Sequence, residues 1–448
     1  MRKNKGSILV GVLWCLALLS VVVIGVLHTS RLDLIVVKNY ADKVQAHYIA
    51  LAAVEKTKAL IYLDSKNRSQ SGKSYSAELR NSQENFRNVA FGRGHFQVLR
   101  RGREDEGGGI IYGIDDEESR LNVNTAPSDQ LQKIQGMTPD VLAAIVDWRD
   151  GDNVVSPGGA EQEYYEALQP PSLPRNGPFQ TIREMLMVRG ITKDLLMGSD
   201  TAQNGQIDED QKESGPGAGL GRAQGGASGT PAWATILTIA SSVKNLTSAG
   251  QAKVNVQTGN EQALTGVRGI TSPMARAMIA YRGQNEFKSI IDLLDVTAQN
   301  QNQNAGGRGA ANNNNNSGST LIDQNLLQEI GDEIAVTSDD ESAGLVNVNS
   351  AGIDVLACLP GVTRDLAQAI ISYRQSSGSI QNIAYLLKVS GMTKDILKQL
   401  APFVTVRSDT YRIIAEGKVD SSGVKQRIET IVRVGLHEVT TLSYREDL

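Results

Sequence analysis

The sequence predicts an α+β fold: one long N-terminal helix packed on a small antiparallel sheet, with a large, mostly α-helical region inserted between the strands of that sheet. Three observations predict it. An apolar run near the start passes without a break into a stretch with helical spacing. Strand-like segments flank a long central region on both sides, and that region repeats itself three times. The chain has 448 residues, room for several domains, with a net charge of −4 and 5% aromatic residues. Nothing in that balance suggests a basic protein built to grip phosphates. Cys15 and Cys358 lie too differently placed to form a framework, and His28, His47, His95 and His437 are scattered, with no metal spacing or triad motif. No enzymatic activity is expected.

The helix begins in "KGSILVGVLWCLALLSVVVIGVLHTSRLDL" (5–34), where residues 7–27 carry no charge. At about 1.5 Å per residue that run is about 32 Å of helix, enough to cross a hydrocarbon core. Arg2, Lys3 and Lys5 precede it, which sets the N-terminus on the cytoplasmic side and the body outside. No clean small-residue cleavage site follows the run, so a cleaved secretory signal is disfavoured. Apolar residues then recur at helical spacing from Thr29 to about Leu63, including Ile35, Val44, Ile49, Ala53 and Ile61, with no Pro or Gly between Val26 and Asp64.

Strands are expected in "GHFQVLRRG" (94–102) and "GGIIYGIDDE" (108–117), and again in 402–419 and 425–439, joined by the turn "VDSSG" (419–423). A sheet drawn from both ends of the chain implies an inserted domain. The cluster Asp115-Asp116-Glu117-Glu118 reads as an exposed turn.

The insert carries three related units, beginning at Arg120 ("RLNVNTAP"), Lys253 ("KVNVQTGN") and Leu345 ("LVNVNSAG"). Each continues through a short helix, a Gly-apolar-Thr hairpin and a helix ending in Trp/Tyr-Arg. The first and third have a second hairpin, at 188–196 and 389–397. The two segments between units, rich in Gly, Gln, Asp and Asn, read as solvated linkers. The hairpins resemble the helix-hairpin-helix motif, whose DNA-binding versions aim backbone N–H groups at phosphate. Here Thr138, Thr192, Thr271, Thr363 and Thr393 replace the second glycine and acids stand nearby, which favours helix capping and protein packing over nucleic-acid binding. Asn122, Asn124, Asn347 and Asn349 are expected to bond turn backbone.

One stretch has no counterpart in the other units: "DWRDGDNVVSPGGAEQEYYEAL" (147–168), with Asp147, Asp150, Asp152, Glu161 and Glu163. It is either a solvated acidic loop or an oxygen-rich site for a hard divalent cation.

Together these parts resemble the minor pseudopilin GspK family of type II secretion systems. "KG" before an apolar helix resembles a prepilin signal; "LNVNTA", "DWRDGD", "PGGAEQEYY" and "PFQTIREMLMVRGIT" are similar to the family's inserted domain. The resemblance implies cleavage between Gly6 and Ser7 by a prepilin peptidase. It also implies that Gly11 occupies the position where most pilins carry a glutamate. It implies Ca2+ held by Asp147, Asp150, Asp152, Glu161 and Glu163. The implied partners are minor pseudopilins of the I and J types, the major pseudopilin, the inner-membrane assembly platform and the membrane itself, with helices packing where Ala46, Ala50 and Ala53 permit close approach. The implied setting is a single-pass protein of the bacterial inner membrane with its bulk in the periplasm, placed at the tip of the pseudopilus. The rival is a membrane-anchored DNA receptor. The expected division is a leader at 1–6, a transmembrane part at 7–27, helix and first strands at 28–119, a first repeat with the acidic loop at 120–199, a linker at 200–232, a second repeat at 233–297, a linker at 298–320, a third repeat at 321–401 and closing strands at 402–448.

Overall fold

A computed structural model describes residues 7–198, 232–297, 320–435 and 438–446. Gly6 and nearly all of both linkers lie outside the described residues. The first helix, α1 (Ser7–Ser71), is unbroken. Its first half is long and apolar enough to span a membrane. From Leu9 to Ala41 every residue is exposed; burial begins at Asp42 and Ala46.

The second half of α1 packs on a sheet of β1 (Val89–Phe91), β2 (Gly94–Val98), β3 (Asp115–Asp116), β4 (Thr410–Val419), β5 (Lys425–Val434) and β6 (Val439–Arg445). The order is β1-β2-β4-β5-β6, all antiparallel, with β3 pairing the start of β4. The sheet thus draws its strands from both ends of the chain. The stretch expected as one strand to 439 breaks after Val434, and β6 is a further edge strand that its mixed pattern, "VTTLSYR", left unread.

Ala46, Ala50 and Ala53, expected to admit partner helices, are instead sealed against the chain's own sheet. The cause is Gly417 in β4: a Cβ there would lie 2.5 Å from the Ala50 backbone nitrogen and closer still to the Ala46 carbonyl. Small residues on both sides let strand and helix backbones touch. Beyond the apolar run, the large apolar side chains left open on α1 are Leu32, Leu34, Ile35, Val36, Val37, Tyr40, Val44, Tyr48 and, further along, Leu63.

The inserted region has its own continuous apolar core, separate from that of α1 and its sheet. Each repeat is closed by a short parallel pair. Leu121–Asn122 pairs with Leu237–Thr238, Val254–Asn255 with Ile334–Ala335, and Val346–Asn347 with Val404–Thr405. The boundaries expected at 233, 321 and 402 therefore fall inside units, because the strand that closes each unit follows its linker or last helix. A ribbon of Ser242–Lys244 and Glu341–Ala343, antiparallel, ties the chain before the second unit to the chain after it.

Equivalent residues do equivalent work in all three. Arg149 donates to the carbonyls of Val123 and Ala126, Arg282 to those of Val256 and Gly259, and Arg374 to those of Val348 and Ala351. Asn122, Asn255 and Asn347 accept from the N–H two residues on, as expected for turn asparagines.

Candidate metal centre in the first repeat

The helix Pro139–Arg149 begins with Thr138, whose hydroxyl accepts from the Val141 N–H, and with Pro139 in its first turn. Its last turn presents Asp147, Trp148 and Arg149. Trp148 is buried, stacked on Phe179 at 6.2 Å and edge-on to Tyr165 at 5.2 Å, and its indole N–H donates to Glu184 at 3.1 Å. That packing fixes the helix end and with it the neighbouring carboxylates. Asp147 and Asp150 stand at the C-terminal end of the helix, where the backbone dipole disfavours negative charge.

The loop then folds back. Gly158 takes φ +83°, and Gly159 passes so close to the Asp147 carboxylate that any Cβ would collide with it. The Ser156 N–H donates to Asp147 at 3.2 Å. Arg189 clamps the far side, donating to the Gly159 carbonyl at 2.9 Å and lying over the Tyr164 ring. Glu161 follows at the N-cap of the short helix Gln162–Glu166, yet its carboxylate caps nothing.

As a result, carboxylate oxygens of Asp147, Asp150 and Glu161 lie within 4.8 Å of one another. Glu161 is only 2% exposed and neither of its carboxylate oxygens has a hydrogen-bond partner; Asp150 Oδ1 is likewise buried and unpartnered. Burial, then the charges of Asp147, Asp150 and Asp152, push the Glu161 carboxyl upward. Burial and the Asp152 charge do the same to Asp150. Three converging acids, two of them with orphaned oxygens, at the negative end of a helix fit a hard cation with oxygen ligands, and among the described residues no Lys or Arg side chain pairs with any of the three. Asp152 stands beside the group, exposed, its carboxylate accepting from the Val154 N–H; Glu163 is exposed on the short helix.

The cluster Asp115–Glu118, expected as an exposed turn, is a correction: Asp116, Glu117 and Glu118 are fully buried. Glu117 binds Arg120, Arg412 and the Thr238 hydroxyl. Glu118 accepts from the N–H groups of Ser242 and Thr410, and Asp116 from Ser408 and Asn347. These acids bolt the sheet to the first and third repeats. Burial opposes ionisation of Glu117, but Arg412 and Arg120 hold its carboxyl low; burial and Asp116 push Glu118 up. The signal that was available was the pairing partner, Arg120, two residues beyond the acids.

The hairpin threonines Thr138, Thr192, Thr363 and Thr393 cap their helices as expected, whereas Thr271 makes no side-chain cap. All five hairpin glycines take positive φ, from +70° to +92°. A sixth hairpin went unread. In the second repeat the Asn/Gln-rich linker interrupts it, and Asp323 takes the capping role, accepting from the Leu326 N–H at 2.8 Å. Thr297 and Thr320 bridge the two ends of that interruption. Hairpins pack on each other within a unit. A Cβ at Gly190 would come 2.7 Å from Val141, one at Gly269 would come 2.8 Å from Leu326, and one at Gly361 would come 3.2 Å from Ile396.

Residues 119–197 match the family described as type II secretion system protein K, and residues 341–405 match the helix-hairpin-helix motif. Among curated relatives, ComE operon protein 1 of Bacillus subtilis is 36% identical over 73 residues, 16% of this chain and 36% of that one. The endonuclease/exonuclease/phosphatase family domain-containing protein 1 of Xenopus laevis is 26% identical over 161 residues, 35% of this chain and 28% of that one. The chain thus spans little more than a third, at most, of the curated relatives it matches here. A solved structure, the GspK-GspI-GspJ complex of the enterotoxigenic Escherichia coli type 2 secretion system, aligns over 93% of this chain and 98% of that one, at 11% identity and a TM-score of 0.43. The acidic centre falls within residues 119–197, the stretch that matches the type II secretion system protein K family.

Proposed function

We propose that this chain is a minor pseudopilin of a type II secretion system, processed after Gly6, held in the inner membrane by the first part of α1, and extracted to the tip of a pseudopilus. The observation that carries this reading is the placement of the protein K domain: it is inserted between strands of a sheet that packs on a helix able to span a membrane. The role is structural rather than catalytic.

The physical logic runs from the helix upward. A mature chain beginning at Ser7 has Gly11 as its fifth residue, and a Cβ there would meet nothing within 4 Å. No carboxylate is present to pair with the α-amine of a neighbouring subunit, which suits a subunit with none above it. The exposed apolar residues from Leu32 to Tyr48 offer a surface for helices of I- and J-type minor pseudopilins and, below them, the major pseudopilin. Handling by the inner-membrane assembly platform belongs to the same reading, as does a periplasmic crown of three repeats too bulky to continue the filament.

Asp147, Asp150 and Glu161 would hold a calcium ion, with Asp152 and Glu163 nearby. The ion would supply positive charge where the loop has none, joining the end of the helix Pro139–Arg149 to the returning loop. It takes part in no reaction.

The test is mass spectrometry of the N-terminus after co-expression with a prepilin peptidase. A mature chain beginning at Ser7, lost on substitution of Gly6, is the expected result. A chain still beginning at Met1, with the peptidase active on a control pilin, overturns the proposal.

A further inference from the structure

Between the sheet and the first repeat lies a cavity of about 90 Å³, room for several waters or one small ion. Six arginines line it, Arg100, Arg101, Arg120, Arg183, Arg412 and Arg445, with two acids, Asp115 and Glu429. This concentration of positive charge is unexpected in a chain whose net charge is −4.

Most of these arginines have carboxylate partners, two of which, Asp115 and Glu429, line the cavity themselves. Arg100 pairs with Glu106, Arg120 with Asp115 and Glu117, Arg412 with Glu117 and Glu429, and Arg445 with Glu429. Arg101 is different. It is half-buried, lines the cavity, and has no side-chain hydrogen bond or ion pair among the described residues. Four carboxylates thus serve four of the six arginines, while Arg101 lines the space with its five donors unused among the described residues.

We propose that this cavity is a binding site for a single tetrahedral oxyanion, of the phosphate or sulfate class, held by Arg101 together with the outer faces of the neighbouring arginines. Planar guanidinium forks match the oxygen spacing of such an ion and bind it with charge-assisted hydrogen bonds. The floor of the site is β3, β4, β5 and β6, and its wall is the first repeat, through Ile182, Met197 and Thr235. A bound oxyanion therefore joins the sheet to the first repeat. The source is a free ion rather than a lipid headgroup. Glu446, next to Arg445, lies 4.0 Å from His47, about 30 Å of helix beyond Leu27 at the end of the apolar run.

The experiment is calorimetric titration of the full chain in a non-ionic detergent with inorganic phosphate, at constant ionic strength set by sodium chloride. Sulfate, acetate and glycerol phosphate are run alongside. Saturable phosphate binding is expected, with sulfate similar and acetate and glycerol phosphate at least tenfold weaker. Arg101→Ala should weaken phosphate binding about tenfold or more, and Arg101→Lys by less. Because Arg101 has no partner to lose, its variants should keep the circular dichroism and melting temperature of the parent in phosphate-free buffer. Absence of saturable binding, or equal affinity in Arg101→Ala, overturns the site. Acetate binding as well as phosphate overturns the tetrahedral class, and glycerol phosphate binding as well as phosphate overturns the free-ion source.

Discussion

Glu161 is buried with neither carboxylate oxygen hydrogen-bonded, beside two further acids, and among the described residues no Lys or Arg pairs with it. A ligand that binds only the folded state stabilises it by about 2.7 kcal/mol at a hundredfold excess over its dissociation constant. Calcium should accordingly raise the melting temperature of the full chain in detergent, and a chelator should lower it. Glu161→Gln should remove most of that calcium dependence while melting no lower than the parent in chelator, since it deletes a repelled charge. Identical calcium responses in the two proteins would exclude Glu161 as a ligand. At this scale the sequence was informative in one acidic stretch and misleading in another. Loop 147–168 declared itself by composition, but which of its six acids converge depends on the reversal at Gly158 and Gly159. Asp115–Glu118 looked like surface because its partners, Arg412, Ser408 and Thr410, lie almost 300 residues away.

Helix α1 and strand β4 meet backbone to backbone, and Gly417 is the position that allows it. Gly417→Ala would drive a methyl group into the Ala46 carbonyl and the Ala50 nitrogen, neither of which can turn aside. Overpacking of this kind typically costs about 1–3 kcal/mol. Urea unfolding of the full chain should show that loss, with hydrogen exchange rising in residues 46–53 and leaving the repeats unchanged. An unaltered midpoint would mean the helix can lift off the sheet without cost. The long helix was legible because apolar spacing persists with no Pro or Gly to stop it. Its partner surface was misassigned because alanines that admit a helix admit a strand equally well. The repeats were legible from their shared frame, while the two-residue strands that close them are too short to leave a pattern.

The body of α1 and its sheet is joined to the inserted repeats by charge as well as by chain. Arg80 reaches the Ser350 carbonyl in the third repeat while binding Glu106, which also receives Arg100 and Arg103. Burial alone would raise the Glu106 carboxyl, but the Arg100 hydrogen bonds and the Arg103 and Arg80 charges outweigh it and bring it down from 4.5 to about 2. A depressed carboxyl contributes stability that is complete above its unfolded value and disappears as pH falls through its folded one. Glu106→Gln should therefore unfold at lower urea than the parent at pH 7, the gap closing between pH 4.5 and pH 2. That shift corresponds to on the order of 3 kcal/mol. A gap constant over this range would mean the arginines do not act through the Glu106 charge.

The two-stranded neck of Ser242–Lys244 and Glu341–Ala343 has a further consequence. The Asn245 N–H bonds to the Asp340 carbonyl, so everything from 245 to 340 leaves and returns at one point. The second repeat within that stretch closes on its own parallel strands. It is a cassette: a single in-frame event in the gene could add or remove it without re-routing the chain on either side. The size of the inserted region is in that sense an inheritable length, adjustable in whole units while α1 and its sheet stay as they are.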